Sequence, residues 1–402
     1  MTDGRPREEG KVVVFGSACV DLLMQPDRLP RPGVTVLAPT YELLPGGKGA
    51  NQAHACAMAC ENETSVHFVG AVGKDAFGDS LRAAFLDANV GVSGLVTHST
   101  LPTACAAVIV DTNGENQIAV GSGANNAVTT AQLDIVEKNA KDHTLLPGDV
   151  LLQQMEIPME EVRKAVEIAR LIGAFSVLNV APSAPVPEET LRKLDFLVVN
   201  EHEAADVFAS LSETNEVARD VAERFLKTSQ NAERAVAQSA AIASTTGVAV
   251  IVTLGAEGAA ACLPTRPSLA REKNASDAKI SSGPISQNKT QTRVDVLRVA
   301  ALALVGDERV VDTTGAGDAF VGAFCASLAS RRSLPDCLKR ASVAGTLGCT
   351  RVGARAGVPR IDEIEKRAVG VAVVADWGDD VDDETAASTL AAPAAAWTRR
   401  GV

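Results

Sequence analysis

Strand-like and helix-like patterns alternate along the chain from residue 11 onward. Residues 11–15 form a nearly unbroken apolar run, Lys11-Val12-Val13-Val14-Phe15, closed by Gly16 and Ser17, which predicts a buried strand. Residues 29–44 break the alternation. Pro30, Pro32 and Gly33 mark turns there, and 34–44 reads as extended. After Pro45-Gly46-Gly47, read as a turn, residues 50–60 predict an apolar helix. A second extended pair covers 104–111 and 117–121 around Asn113-Gly114, a strong hairpin signal. The two non-helical pieces, about 18–45 and 100–121, predict a small β-sheet standing apart from the main one.

The alternation then resumes, with strands expected at 150–154, 175–179, 196–200 and 249–254, and helices at 159–172, 318–330 and 334–350. Repeated strand–helix units predict an α/β fold with a doubly wound, mostly parallel sheet flanked by helices. In such a sheet ligands bind at the carboxyl ends of the strands. Three stretches read as additions: 228–246, rich in Ala, Ser and Gln; 265–293, polar and aperiodic; and the tail from about 370, acidic and then Ala-rich. Their composition predicts flexible or disordered segments, as does that of residues 1–10. The folded unit is therefore expected over 11–364.

Composition narrows the function classes. The chain has 402 residues and is 46% hydrophobic but only 3% aromatic, so Ala, Val and Leu must fill the core. A formal net charge of -12 argues against nucleic acid, which needs a clustered basic surface. It leaves nucleotides open, since phosphates can be held by backbone N–H groups and cations. The eight cysteines form no CxxC pair. Cys56 and Cys60, one helical turn apart, read as small buried hydrophobes rather than metal ligands. Reduced thiols, a polar N-terminus without an apolar signal core, and no apolar run of bilayer length predict a cytoplasmic chain.

Four Gly-rich or acidic turns carry the candidate chemistry. Asp312-Thr313-Thr314-Gly315-Ala316-Gly317-Asp318 enters a helix, where converging N–H groups stabilise an oxyanion or phosphate. Asp318 beside them could take the proton of an attacking hydroxyl, although alone it could equally serve only the helix start. Gly46-Gly47-Lys48-Gly49-Ala50-Asn51-Gln52-Ala53 is a second such turn, and its spacing excludes a Walker loop. Asn51 offers a donor and an acceptor to sugar hydroxyls. Thr253-Leu254-Gly255-Ala256-Glu257-Gly258 ends a strand where a nucleotide would lie. Asn200-Glu201-His202-Glu203 puts carboxylates at another strand end, suited to ordering Mg²⁺ and its waters. A dinucleotide-binding reading fails, because Gly16-Ser17-Ala18-Cys19-Val20-Asp21 lacks the glycine spacing.

With both signatures present, GGKGANQA and DTTGAGDAF, and with Gly114-Glu115-Asn116, Gly123-Ala124-Asn125 and the Asn-x-x-Glu of 200–203, the chain resembles the ribokinase/PfkB carbohydrate kinase family from about residue 12 to 364. The intact GGKGAN and GAN are closer to its ribose-phosphorylating members than to fructokinases or adenosine kinases. The resemblance implies ATP-dependent phosphorylation of D-ribose at the 5-hydroxymethyl oxygen, with deoxyribose or another sugar as alternative acceptor and a non-catalytic sugar-binding protein as a remote one. It implies Asp318 as catalytic base and Gly317 with its neighbours as the anion hole. Cys19, Val20, Asp21, Gly47, Lys48, Gly49, Ala50, Asn51 and Glu156 match sugar-binding positions. Asn200, residues 253–258 and Ser342 match nucleotide-binding positions. Asp312, Thr314, Gly348, Arg351 and Gly353 match a K⁺ loop, and Glu203 would reach Mg²⁺ through water. The small sheet matches a lid that also pairs two subunits into a homodimer. Three positions depart from the pattern: Cys19 replaces an Asn, Gly357 a Ser of the cation loop, and Ser342 a His or Asn.

Overall fold

The computed structural model describes residues 10–61, 64–133, 145–215, 218, 231–264 and 294–376. In chain order its strands are β1 Val12–Phe15, β2 Cys19–Met24, β3 Tyr41–Gly46, β4 Val66–Gly73, β5 Val90–His98, β6 Ala104–Val110, β7 Asn116–Gly121, β8 Val150–Gln153, β9 Phe175–Asn179, β10 Phe196–Asn200, β11 Ala249–Thr253, β12 Ala259–Pro264, β13 Val294–Val299 and β14 Val373–Asp376. The helices are α1 Lys48–Ala59, α2 Ala76–Asp87, α3 Met159–Ile172, α4 Glu188–Leu191, α5 Glu201–Thr214, α6 Asn231–Thr246, α7 Ala316–Ala329, α8 Leu334–Gly348 and α9 Ile361–Ala368.

Ten strands form the main sheet in the order β14-β13-β12-β11-β10-β9-β8-β1-β4-β5. From β11 to β5 every pairing is parallel, and β12, β13 and β14 extend one edge in antiparallel fashion. Side chains along a strand alternate between faces, and β1 shows what that does here. Val12 and Val14 enter the core beneath α1, α2, α7 and α8, whereas Val13 and Phe15 enter the one beneath α3, α5 and α6. Because both faces are covered, β1 reads as a continuous apolar run. Fully burying a side chain such as Phe15 is worth about 1.5–3 kcal/mol.

The second sheet has four strands, β3-β2-β6-β7, and β2 and β6 run parallel within it. Cys19, Ala104 and Ala106 are buried on one of its faces, with Val108 packed against them. Its outer strands leave Tyr41, Leu43, Leu44, Ile118 and Val120 exposed.

Several expectations change. Residues 34–40 form no strand, and Pro45-Gly46, read as a turn, is the end of β3. Proline is tolerated there because β3 is an edge strand and the missing N–H costs no ladder bond. The stretch 228–246, expected to be flexible, contains α6. Ala232, Ala235, Val236, Ile242 and Ala243 on it are buried. Its small residues recur at three and four positions, which composition alone conceals. The tail is ordered through β14, which pairs with β13 and so adds an element beyond 364. The insert 265–293, residues 1–9 and 377–402 lie outside the described residues. No helix among the described residues is long and apolar enough to cross a membrane. All eight cysteines are free; Cys56 is fully buried, which pushes its thiol up, and Cys60 is partly buried.

Candidate active site

The carboxyl ends of β1, β8, β9, β10 and β11 converge on the amino end of α7. Gly315, with φ 77, caps that helix. A Cβ there would lie 2.7 Å from Ala354 Cα, so only glycine fits both the backbone angle and the contact. The first N–H groups of a helix lack intrahelical acceptors and carry its positive partial charge. Gly315, Gly317 and Asp318 line a 240 Å³ cleft with Lys48, Asn200, Glu203 and Thr253.

Asp318 is held by side chains. Its Oδ1 accepts from Gln52 Nε2 at 2.9 Å, and Oδ2 from Asn51 Nδ2 at 3.5 Å. Gln52 Nε2 also donates to Asn179 Oδ1 at 2.9 Å, while Gln52 Oε1 accepts from Gln154 Nε2 at 2.6 Å. Burial pushes the Asp318 carboxyl above the ordinary range, and the Lys48 ammonium with the Gln52 and Asn51 amides pulls it back. The result is a desolvated carboxyl group with its orientation fixed.

Glu156 ties the GGKGAN turn to β1. Its Oε2 accepts from Ser17 Oγ at 2.6 Å and from Lys48 N at 2.9 Å, and Ser17 Oγ accepts from Gly49 N at 3.2 Å. Asn125 clamps the next residue, accepting from Ala18 N and donating to Ala18 O, each at 3.1 Å. Gly47, with φ 87, lets this turn touch Ala18 and Cys19. Asp21 lies against Gly46; burial raises its carboxyl, and the Cys19 thiol opposes the rise. Burial keeps the Cys19 thiol protonated. Val20 turns its side chain into the core, so only its backbone is available.

On the nucleotide side the expected residues split. Asn200 and Glu203 form a capping box at α5: Asn200 Oδ1 accepts from Glu203 N, and Glu203 Oε2 from Asn200 N, both at 2.8 Å. Glu203 is nonetheless in the cleft wall, and burial raises its carboxyl. Residues Gly255–Glu257 are a short, exposed 3₁₀ turn after β11, while Leu254 is buried. Ser342 is buried inside α8 and donates its hydroxyl at 2.7 Å to the carbonyl of Ala300, which lies against Gly258 of the turn after β11. Lys48, expected with the sugar positions, turns its side chain toward the phosphate-side cleft.

The cation-loop residues do come together. Asp312 Oδ1 accepts from Thr314 N and Oδ2 from Gly353 N, both at 2.8 Å, which holds its carboxyl below the usual range. A Cβ on Gly357 would lie 2.5 Å from Gly348 O and 3.2 Å from Gly353 O, so two carbonyl oxygens converge there. The Arg351 side chain leaves the loop to pair with Glu363 at 2.6 Å, so only its carbonyl could serve a cation.

Ser17, Gln52, Asn179 and Arg355 were not singled out from the sequence, yet all four organise the site. Gln52 adjoins Asn51 within the quoted turn, and Asn179 ends a buried strand with a polar side chain. Arg355, in the loop after α8, donates from Nε to Asn51 Oδ1 at 3.0 Å.

The sequence profile of the pfkB family carbohydrate kinases matches residues 9–270 and 296–361. The chain belongs to the PfkB family of carbohydrate kinases. It is a phosphotransferase with an alcohol group as acceptor. It is 30% identical to a ribokinase of Lactococcus lactis over 359 residues, covering 89% of this chain and 96% of that one. It is 32% identical to a ribokinase of Arabidopsis thaliana over 348 residues, covering 85% and 76%. The Arabidopsis ribokinase structure with ribose and ATP superposes with a TM-score of 0.66 at 27% identity, covering 90% of this chain and 98% of that one.

Proposed function

We propose that this PfkB kinase transfers the γ-phosphoryl group of ATP to the 5-hydroxymethyl oxygen of D-ribose. The observation that carries this is Asp318: a buried, amide-oriented carboxylate in the first turn of a helix whose amino end opens on the cleft. Asp318 takes the proton of the attacking hydroxyl. The amides of Gly315 and Gly317 and the Lys48 ammonium stabilise charge on the transferred phosphoryl oxygens. Asp21, Asn51, Glu156 and the backbone of residues 47–51 hold the sugar, and Asn200 with residues 253–258 holds the nucleotide. The A. thaliana relative whose structure contains ribose and ATP supports this choice of substrates.

Glu203, in the cleft wall, would hold Mg²⁺ through its waters, and the ion supplies charge neutralisation on the phosphates. The carbonyls of Asp312, Thr314, Gly348, Arg351 and Gly353 would hold K⁺. The Asp312 carboxylate, which joins Thr314 to Gly353, supports the reading that these loop carbonyls lie near one another. A cation held there would add to the Asp312 bonds that steady the turn leading to Gly315, and so to the preorganisation of its amides. The exposed Leu43, Ile118 and Val120 of the small sheet are covered by a second copy in a homodimer of about twice the chain mass, because bare sheet edges and apolar faces invite pairing.

The test is ADP release at fixed ATP over a panel of ribose, 2-deoxyribose, fructose and a nucleoside, with KCl exchanged for NaCl at constant ionic strength. Ribose should show the highest kcat/KM, and K⁺ should support a higher rate than Na⁺. Preference for fructose or a nucleoside would sink the assignment. A rate flat across the cation exchange would remove K⁺ from the mechanism.

A further inference from the structure

Arg355 sits in a loop whose expected business is cation binding through carbonyls, yet its side chain runs into the sugar side. The guanidinium is largely buried, with Cζ 5.8 Å from the centre of the Phe85 ring. Nε donates to Asn51 Oδ1 at 3.0 Å, and Nη2 is buried with no partner. Asp21 and Asp318 act on the guanidinium through their charges. Burial lowers Arg355 only to about 10, so it stays a cation near neutral pH.

Arginine can only donate, so the Asn51 atom facing it must be the carbonyl oxygen. That leaves Asn51 Nδ2 toward Asp318 Oδ2, as observed at 3.5 Å, and forbids the flipped amide.

We propose that Arg355 is a positioning residue of the sugar site, locking the Asn51 amide through Nε so that Asn51 meets the sugar in one orientation. The proposal rests on the carbohydrate-kinase reading, not on the identity of the sugar. His54 on α1 also feels Arg355, and burial together with that charge lowers it to about 4, so it stays neutral.

The test uses Arg355→Gln and Arg355→Lys in the full chain, with the acceptor the wild type turns over fastest. A failure of ribose in the panel then sinks the substrate assignment and leaves this test standing. Arg355→Gln should raise sugar KM by about 10–100-fold, with ATP KM unchanged. Arg355→Lys keeps the charge and loses the planar fork that orients the Asn51 amide, so sugar KM should stay high. Unchanged sugar KM in both variants overturns the proposal. So does a parallel rise of both KM values, which would mean a loosened loop only. If Arg355→Gln does not fold, the split between sugar and ATP KM in Arg355→Lys decides by itself.

Discussion

The two halves of this active site are built from different materials. On the sugar side, side chains spend most of their hydrogen bonds on each other: Gln154 on Gln52, Gln52 on Asp318 and Asn179, Arg355 on Asn51, and Ser17 on Glu156. At the amino end of α7 and in the loop after α8, where phosphate and a cation are proposed to bind, the groups brought together are main-chain amides and carbonyls, exposed by small residues between Asp312 and Gly317 and around Gly353. A sugar needs directional donors and acceptors at fixed points, which buried side-chain networks provide. A phosphoryl group needs close, convergent N–H groups, which only a backbone without bulky side chains can present. Substitutions should therefore fail differently on the two sides.

The largest effect is expected at Asp318, where both halves meet. Asp318→Asn should lower kcat by about 10²–10⁴ while sugar and ATP still bind, measured by steady-state rates and by calorimetry. The sign of the wild-type pH dependence follows from burial. Asp318 must be ionised to accept a proton and its carboxyl is raised. Hence kcat should fall, as pH drops, earlier than an ordinary carboxylate would dictate. That limb should vanish in the variant. Near-normal turnover of Asp318→Asn would break the comparison at its centre.

Gly315→Ala tests the backbone side. A Cβ at φ 77, pressed on Ala354, must displace the turn. We expect kcat lower by about 10²–10³ and stability lower by about 1–3 kcal/mol, with sugar KM little changed. If sugar KM rises as steeply as kcat falls, the two halves are one unit. The smallest effect is expected at Ser342. Ser342→Ala loses the bond to Ala300 O and about 1 kcal/mol of stability, read from denaturant unfolding, with little change in ATP KM. A steep rise in ATP KM at unchanged stability would show that Ser342 serves the nucleotide directly.

Much of the fold was legible because its signals are local. Strands Phe175–Asn179 and Phe196–Asn200 and helix Met159–Ile172 match the expected ranges, each an apolar pattern with clear breakers. Helix Asn231–Thr246 was not legible, since Ala and Ser carry weak burial signals. It is the neighbouring β11 and β12 that give its face something to cover. The homologous signatures marked Asp318, Asn51 and the glycine turns, where chemistry restricts residue type. Nothing local marked Arg355, separated from Asn51 by 304 positions.

The sequence alone thus determined the strand–helix alternation, the two glycine turns and the presence of an acid at a helix start. Periodicity, turn propensity and residue type are properties of neighbours in the chain. Only the tertiary structure decided that Lys48 faces the phosphate side, that Ser342 spends its hydroxyl on Ala300, and that Arg355 closes on Asn51. Those outcomes depend on which strand ends lie side by side. Burial and hydrogen-bond partners follow from that long-range packing, which no short window of sequence contains.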